Sequence, residues 1–303
     1  MDKKDVCIVR AKLKKDYVFD AIQHYGYQIY TPYKGNSILL RIMREAWFRL
    51  KLPYQKIWYN ACVRKADCKV FVVFDPLILP DYLDWIKGNH PDSQIILSYE
   101  NRADRTINPD CVSKFVEKWS YDQDDCKRYS MKWSSPSFFM EYKRTPRQNP
   151  KYDVVYVGRD KGRAGQLLQL ERELNDKGLR TYFHICADRQ FLKFKRKYYK
   201  KLLTYEEYLD LLIDTKAVLN VVPEGQRSIT QREMEAVFDG IKCITNNRGI
   251  HDFELYDKNT YFILGEDSFD ELDVFLNRAV KEVSNERIKK FDFDQKLKMM
   301  IHG

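Results

Sequence analysis

The clearest hydrophobic pattern lies in the second half of the chain. Val154 to Val157 is a short β-branched and aromatic run that stops at Gly158, as a buried parallel strand would. Beyond it Leu167, Leu170 and Leu174 share one helical face, and Gly178 predicts the end of that helix. Thr181 to Ile185 predicts a second strand. Thr204 and Glu207 then form a T-x-x-E capping box, and Tyr205, Tyr208, Leu209 and Leu212 follow with helical spacing. Ala217 to Val222 predicts a third strand. A second box, Thr230 and Glu233, opens a helix whose apolar side carries Met234, Val237, Phe238 and Ile241. Ile241 to Thr245 and Tyr261 to Leu264 complete the strands. Such alternation predicts a parallel sheet with right-handed crossovers, and ligands in these sheets sit at the carboxyl ends of strands.

The first half alternates less clearly. Val6 to Val9, Tyr27 to Tyr30, Val70 to Phe74 and Gln94 to Leu97 predict strands, and Leu39, Ile42, Met43 and Ala46 mark a long helix between the second and third. Residues 143–151, KRTPRQNPK, have two prolines, four basic residues and no apolar period, so they read as a linker. The expected fold is therefore α/β: two open domains, 1–145 and 146–303, facing a central cleft. A length of 303 residues agrees, at roughly 150 residues per domain.

Composition narrows the function classes. Hydrophobic residues make up 44% and charged residues 32%, enough for a packed core. No apolar run is much longer than Val70 to Phe74, well short of the ~20 residues a membrane-spanning helix needs. The N-terminus has no apolar signal core, which predicts a cytoplasmic protein. The seven cysteines (Cys7, Cys62, Cys68, Cys111, Cys126, Cys186 and Cys243) form no C-x-x-C pair, so reduced thiols are expected rather than a disulfide framework or zinc ribbon. Lys plus Arg exceed Asp plus Glu by 53 to 44, and a net charge of +9 favours anionic partners: nucleic acid, phosphorylated small molecules or an anionic membrane face.

Two segments place suitable residues at strand ends. V-G-R-D-K-G-R sets Gly158, Arg159, Lys161 and Arg163 between a strand and a helix, where glycine permits close approach and helix N–H groups face anions. It lacks the G-x-G-x-x-G and Walker spacings, so it is not read as a dinucleotide or P-loop motif. The second segment is Pro223 to Gly240. At ~100° per residue, Arg232, Glu235 and Asp239 fall opposite the Met234/Val237/Phe238 face, which predicts one side in the core and an arginine–carboxylate pair on the other. Such a pair suits a phosphate and ribose hydroxyls, or it is a solvated ion pair.

The segment Q-x-x-x-T-x-R-x-x-E (Gln226, Thr230, Arg232, Glu235), followed by I-T-N-N (Ile244 to Asn247) and F-E-L-Y-D (Phe253 to Asp257), resembles the carboxyl-terminal domain of glycosyltransferases from bacterial capsule and lipopolysaccharide gene clusters. The G-R-D-K-x-R turn and W-S-Y-D-Q-D-D-C-K-R-Y (Trp119 to Tyr129) are similar to that family too. Arg227-Ser228 departs from its usual Ser-Gly, and Asn246 from its Thr. The resemblance implies the GT-B architecture of two Rossmann-like domains, with an acceptor on the first and a nucleotide-sugar donor, UDP-linked, on the second. It implies that Glu235 binds the donor ribose. Arg232, Thr230 and the Gly158–Arg163 turn would bind the diphosphate, within a donor set that includes Gln226 and Ser228. The acceptor would be a polysaccharide or lipid-linked glycan, and no cofactor is implied.

Other features bear on chemistry. Asp122-Gln123-Asp124 matches the D-x-D of metal-dependent transferases, but Asp122 is better placed as a helix N-cap, so no metal site is expected. Arginines, lysines and helix N-termini would then stabilise the departing diphosphate. Residues 191–201, F-L-K-F-K-R-K-Y-Y-K-K, interleave aromatic and basic side chains and suit an anionic membrane face. Asp75 and Glu100 follow predicted strands and are candidates for a catalytic base, and His251 is the histidine placed to face the cleft. Two other classes stay open: a noncatalytic binder of RNA or another anionic polymer, and a polyol-phosphate transferase of wall polymer assembly. Nucleic acid is not the expected partner.

Overall fold

The computed structural model describes residues 2–12, 16–35, 37–188 and 196–303. They form two compact units, Met1–Ser135 with Asp294–Gly303, and Pro136–Phe293. The division thus precedes residues 143–151, and the C-terminal segment joins the first unit. The expected linker is tied down by backbone hydrogen bonds: Arg144 N donates to Asp239 at 2.8 Å, Arg147 N to Ile213 O at 2.8 Å and Lys151 N to Asp214 at 2.9 Å. Proline and charge mark a chain without its own regular structure, and such a chain can still pack on a neighbouring element.

The first unit runs β1 (Val6–Val9), α1 (Tyr17–His24), β2 (Gln28–Tyr30), α2 (Ile38–Arg49), α3 (Ala61–Lys65), β3 (Val70–Phe74), α4 (Pro80–Asn89), β4 (Gln94–Tyr99), β5 (Val116–Ser120), α5 (Gln123–Tyr129) and β6 (Lys132–Trp133). Its strands are all parallel, in the order β2-β1-β3-β4-β5-β6. β3 is buried along its whole length, as a continuous apolar run in a parallel sheet should be. β5 and β6 escape the hydrophobic pattern because Glu117, Lys118 and Lys132 interrupt it. α2 is a helix as its spacing predicts, yet Phe48 packs on the core while Ile38, Leu39, Ile42 and Met43 are exposed.

The second unit runs β7 (Tyr152–Arg159), α6 (Ala164–Asp176), β8 (Thr181–Cys186), α7 (Tyr205–Ile213), β9 (Thr215–Asn220), α8 (Gln231–Asp239), β10 (Lys242–Thr245), β11 (Tyr261–Ile263), α9 (Leu272–Asn277) and α10 (Asn285–Lys289). α11 (Phe293–His302) begins here and continues in the first unit. The sheet is parallel, ordered β11-β10-β9-β7-β8. Both T-x-x-E boxes form in full, at Thr204/Glu207 and Thr230/Glu233, and Gly240 ends α8 in the left-handed region at φ 72°.

Each unit is thus the expected parallel α/β sheet. In both, the chain lays its second strand on one side of the first and its third on the other. The order reverses between β1 and β3, and again between β7 and β9. Crevices at such reversals, on the carboxyl ends of the strands, are where open α/β sheets hold ligands. Among the described residues no helix is long and apolar enough to cross a membrane.

Candidate functional site

In the second unit the reversal between β7 and β9 is bridged by two arginines. Arg232, from the first turn of α8, donates through Nη2 to the Val157 carbonyl of β7 and through Nη1 to Asn220 Oδ1 of β9, the latter at 3.2 Å. Its Nε is buried without a hydrogen-bond partner among the described residues. Arg163 donates through Nη1 to the Val221 carbonyl, just past β9. The Gly158–Arg163 turn and the start of α8 are thereby brought to one place, as their positions after strands predict. Arg159 and Lys161 on the turn are exposed, and Arg159 Nη1 donates to Asp188 O at 2.7 Å.

The turn differs from its expected form in two respects. Gly158 leaves no open approach, since a Cβ there would lie 2.7 Å from the Tyr156 hydroxyl. The first turn of α6 already holds a carboxylate: Asp160 Oδ1 accepts from Ala164 N at 2.6 Å, and its Oδ2 accepts from the Tyr199 hydroxyl. The aspartate neutralises the helix start that an added anion would use. The positive groups left to a ligand are therefore side chains, since the start of α8 likewise carries a carboxylate, that of Glu233 on Thr230 N.

α8 corrects a second expectation. Its polar face does not point away from the core; every residue from Glu233 to Asp239 is buried. Glu235 is 2% exposed, and its oxygens accept from the Tyr205 hydroxyl at 2.5 Å, the Tyr208 hydroxyl at 2.9 Å and Gln231 Nε2 at 2.8 Å. Burial pushes its carboxyl up, against the tyrosine hydrogen bonds and Arg232, which hold it down. Asp239 accepts from Arg144 N and is pushed up to about 7, by burial first and by the charge of Glu235 second. Glu233, read from the sequence as a cap alone, is fully buried and does more. Besides closing the box with Thr230, it accepts from Thr245 Oγ1 at 2.8 Å and from Asn247 Nδ2 at 3.1 Å. It so ties the start of α8 to the carboxyl end of β10.

The loop between β9 and α8 is held from below. Asn246 pairs both ways with Val222, its Oδ1 accepting from Val222 N at 2.7 Å and its Nδ2 donating to Val222 O at 3.0 Å. Asn247 Nδ2 donates to the carbonyl of Ser228, which is buried. Gln226 N closes a turn onto Pro223 O at 3.1 Å. Beneath this loop lies Gly249, where any Cβ would overlap the Arg227 carbonyl. Thr230 caps α8 and accepts from Asn220 Nδ2 at 3.0 Å, so its hydroxyl is engaged in the scaffold. The motif I-T-N-N thus acts by shaping the loop, a role its residue types foreshadow and its spacing does not. His251 lies on the surface, with Nε2 2.9 Å from Glu266 Oε2 and its ring edge-on to Tyr256.

In the first unit the structure joins Asp75 and Glu100 at the ends of β3 and β4. Asp75 is fully buried, and its Oδ1 accepts from Glu100 N at 2.5 Å while its Oδ2 accepts from Asn101 Nδ2 at 3.1 Å. Burial pushes it up to about 6, with Glu100's charge adding and the hydrogen bonds opposing. Glu100 is paired in turn with Arg10, which follows β1, at 3.2 Å to each oxygen; Arg10 also meets Asp16 at 2.6 Å. Lys296, from α11, is buried near the same carboxylates and is lowered to about 8, chiefly by burial. Neither Arg10 nor Lys296 stands out in the sequence pattern, although Arg10 comes immediately after a strand. Asp122 Oδ1 accepts from Asp124 N and Asp125 N at 3.0 Å each, the geometry of an N-cap. Among the described residues no cluster of three metal-ligating side chains occurs. Residues 191–195 of the basic aromatic segment lie outside the described residues.

No family model and no curated protein matches the chain. Among solved structures it is similar to the glycosylation-associated Gap123 complex of Streptococcus agalactiae, at 11% identity and a TM-score of 0.48 over 77% of this chain. The chain spans about half of that protein's length, 54%. It is also similar to MurG of Acinetobacter baumannii, at 10% identity and a TM-score of 0.41, over 98% of this chain and 90% of that one.

Proposed function

We propose that the protein is a glycosyltransferase that moves a sugar from a nucleotide-sugar donor, UDP-linked, to a glycan or lipid-linked acceptor. The observation that carries this reading is the convergence of Arg163 and Arg232 on the carboxyl ends of β7 and β9, beside the start of α8. A leaving nucleoside diphosphate gains negative charge as the sugar departs. Preorganised guanidinium groups stabilise that charge without a metal ion. The exposed Arg159 and Lys161 extend the positive surface. The Q-x-x-x-T-x-R-x-x-E resemblance agrees with this placement.

In this reading Glu235 accepts hydrogen bonds from the ribose hydroxyls once Tyr205, the half-buried member of its tyrosine pair, turns aside. Asp75 is the base: a buried carboxyl raised to about 6 exchanges its proton near neutral pH, whereas Glu100 is engaged by Arg10. His251, exposed and paired with Glu266, is assigned no role.

A thermal-shift titration against uridine, guanosine and adenosine diphosphates tests the donor class. Saturable binding of one nucleoside diphosphate is expected. Arg232→Ala should weaken it by about 2 kcal/mol, the scale of a lost charge-assisted hydrogen bond. Glu235→Ala should cost about 1–3 kcal/mol of binding on the same grounds. Equal responses to all nucleotides, with steeply salt-dependent binding of single-stranded RNA, would replace the enzyme with a polyanion binder. Turnover should survive a chelator; loss restored by manganese would return Asp122 and Asp124 to the reaction.

A further inference from the structure

α2 rests on its own unit by a narrow stripe. Phe48 packs on the core, and Arg44 lies on the same side with its guanidinium 4.7 Å from the Tyr33 ring. At ~100° per residue Ile38, Ile42, Ala46, Leu39, Leu50 and Met43 follow one another around the opposite side, within an arc of about 140°, and Arg49 is the one charged residue among them. The five large side chains of this arc are between 48% and 77% exposed, and Ala46 in its middle is exposed as well. Trp47, at the edge of the arc, donates to Pro53 O at 2.9 Å and packs edge-on against Trp58. It so keeps Tyr54 and Ile57, 80% and 52% exposed, beside the helix.

These seven large side chains offer roughly 900 Å² per copy, above the ~800 Å² that each partner of a standard stable interface covers. A monomer seldom leaves an apolar patch of that size in water. The order of the residues says what fits on it. Leu39, Met43, Ala46 and Leu50 are spaced 4-3-4, the seam of a helix pair. That spacing reads the same in both directions, so the seam is complementary to itself when a second α2 runs antiparallel across a two-fold axis.

We propose that α2 is the interface of a homodimer, with two copies of the helix packed antiparallel about an axis between Met43 and Ala46. Leu39 then meets the partner's Leu50, and Met43 meets the partner's Ala46, a large side chain against a small one at the closest approach. A parallel pair sets alanine against alanine and leaves a gap there. Ile42 on one flank of the seam and Leu40 on the other keep water from it. A bilayer fits this face less well. A helix that enters one carries its bulk at the middle of the apolar arc, where α2 has Ala46. The inference stands apart from the donor reading, which concerns the second unit.

Analytical ultracentrifugation of the full chain, over about two decades of micromolar concentration, tests it. The mass should rise from 36.4 kDa toward twice that value, and Tm should rise with concentration. Met43→Asp should raise the dissociation constant at least ~10-fold, the scale of one residue that dominates an interface. Leu39→Lys and Leu50→Glu should each do the same. The two together in one chain should restore the dimer, because opposite charges then face each other across the axis. Melting at low concentration shows whether each variant folds, and the concentration dependence of the parent's Tm keeps the test valid without any variant. A parent that stays monomeric throughout, or a dimer that Met43→Asp leaves intact, would overturn the interface. Single variants that dissociate without recovery in the pair would overturn the antiparallel arrangement. A monomeric parent that binds phosphatidylglycerol vesicles, and loses them on Met43→Asp, would give the face to a membrane instead. Loss of uridine diphosphate binding in a chain that still pairs fails the donor reading and leaves this one standing.

Discussion

α8 and α2 invert the usual rule in opposite directions. α8 carries Arg232, Glu233, Glu235 and Asp239 in a helix of nine residues, and it is buried from Glu233 onward. α2 is rich in isoleucine, leucine and methionine, and the residue it buries is Arg44. The difference lies in the partners supplied from elsewhere. The carboxylates of α8 meet Tyr205 and Tyr208 from α7, Thr245 at the end of β10, Asn247 beyond it, and the Arg144 backbone. A buried charge is tolerable when its hydrogen bonds are made, and costly when they are not. The carboxylates of α8 thus have their hydrogen bonds made, with Arg232 Nε the buried group of that helix left unpartnered among the described residues, whereas the Arg44 guanidinium of α2 rests on the Tyr33 ring with no side-chain hydrogen bond among them.

Glu233→Ala should have the largest effect. It strands the Thr230 N–H, the Thr245 hydroxyl and the Asn247 amide, and a loss of about 3 kcal/mol or more is expected in urea unfolding. A loss below ~1 kcal/mol would mean that the network is not what holds α8 in place. Gly249→Ala comes next, at about 1–3 kcal/mol, because its methyl group must push the Arg227 backbone away. The same displacement should weaken nucleoside diphosphate binding, which a substitution elsewhere in the surface loops would not do.

Asp239→Asn tests the charge of the buried face through pH. Asp239's folded pKa of about 7 lies above its ordinary value, so its protonated form favours folding. That contribution is complete below the unfolded pKa near 3.8 and is lost as pH rises through about 7. The asparagine keeps an acceptor for Arg144 N and carries no charge. The variant should therefore gain on the order of 1–3 kcal/mol over the parent at pH 8 and little at pH 4, in paired denaturation curves. A gain independent of pH would assign the effect to packing. Leu39→Asp in α2 should do least to the monomer, within about 0.5 kcal/mol at concentrations too low for pairing, because an exposed side chain is exchanged for another. A cooperative loss of several degrees in Tm there would show that α2 is covered by its own chain.

Legibility follows the range of the interaction. Val6–Val9 and Val70–Phe74 are strands over the spans their side chains predict, and the boxes at Thr204 and Thr230 open helices where they stand. These are decided within a few residues. β5 is masked because Glu117 and Lys118 sit at an alternation that the sheet tolerates near its edge, where both can reach partners. The two segments proposed to hold a donor are legible by residue type and by their place after strands, and Arg232 and Arg163 each hydrogen-bond across the ends of β7 and β9.

What the residues alone determined was the alternation of strands and helices, the parallel sheets, and the gathering of basic groups at strand ends. Each depends on local spacing and on the short range of backbone hydrogen bonds. Only the tertiary structure decided which charges were answered. Asp160 occupies the start of α6, two tyrosines about thirty positions upstream cover Glu235, Gly249 lies beneath Arg227, and Arg44 is buried against the Tyr33 ring with no side-chain hydrogen bond among the described residues. The reason is that desolvation depends on everything packed around a group, and those neighbours come from distant parts of the chain.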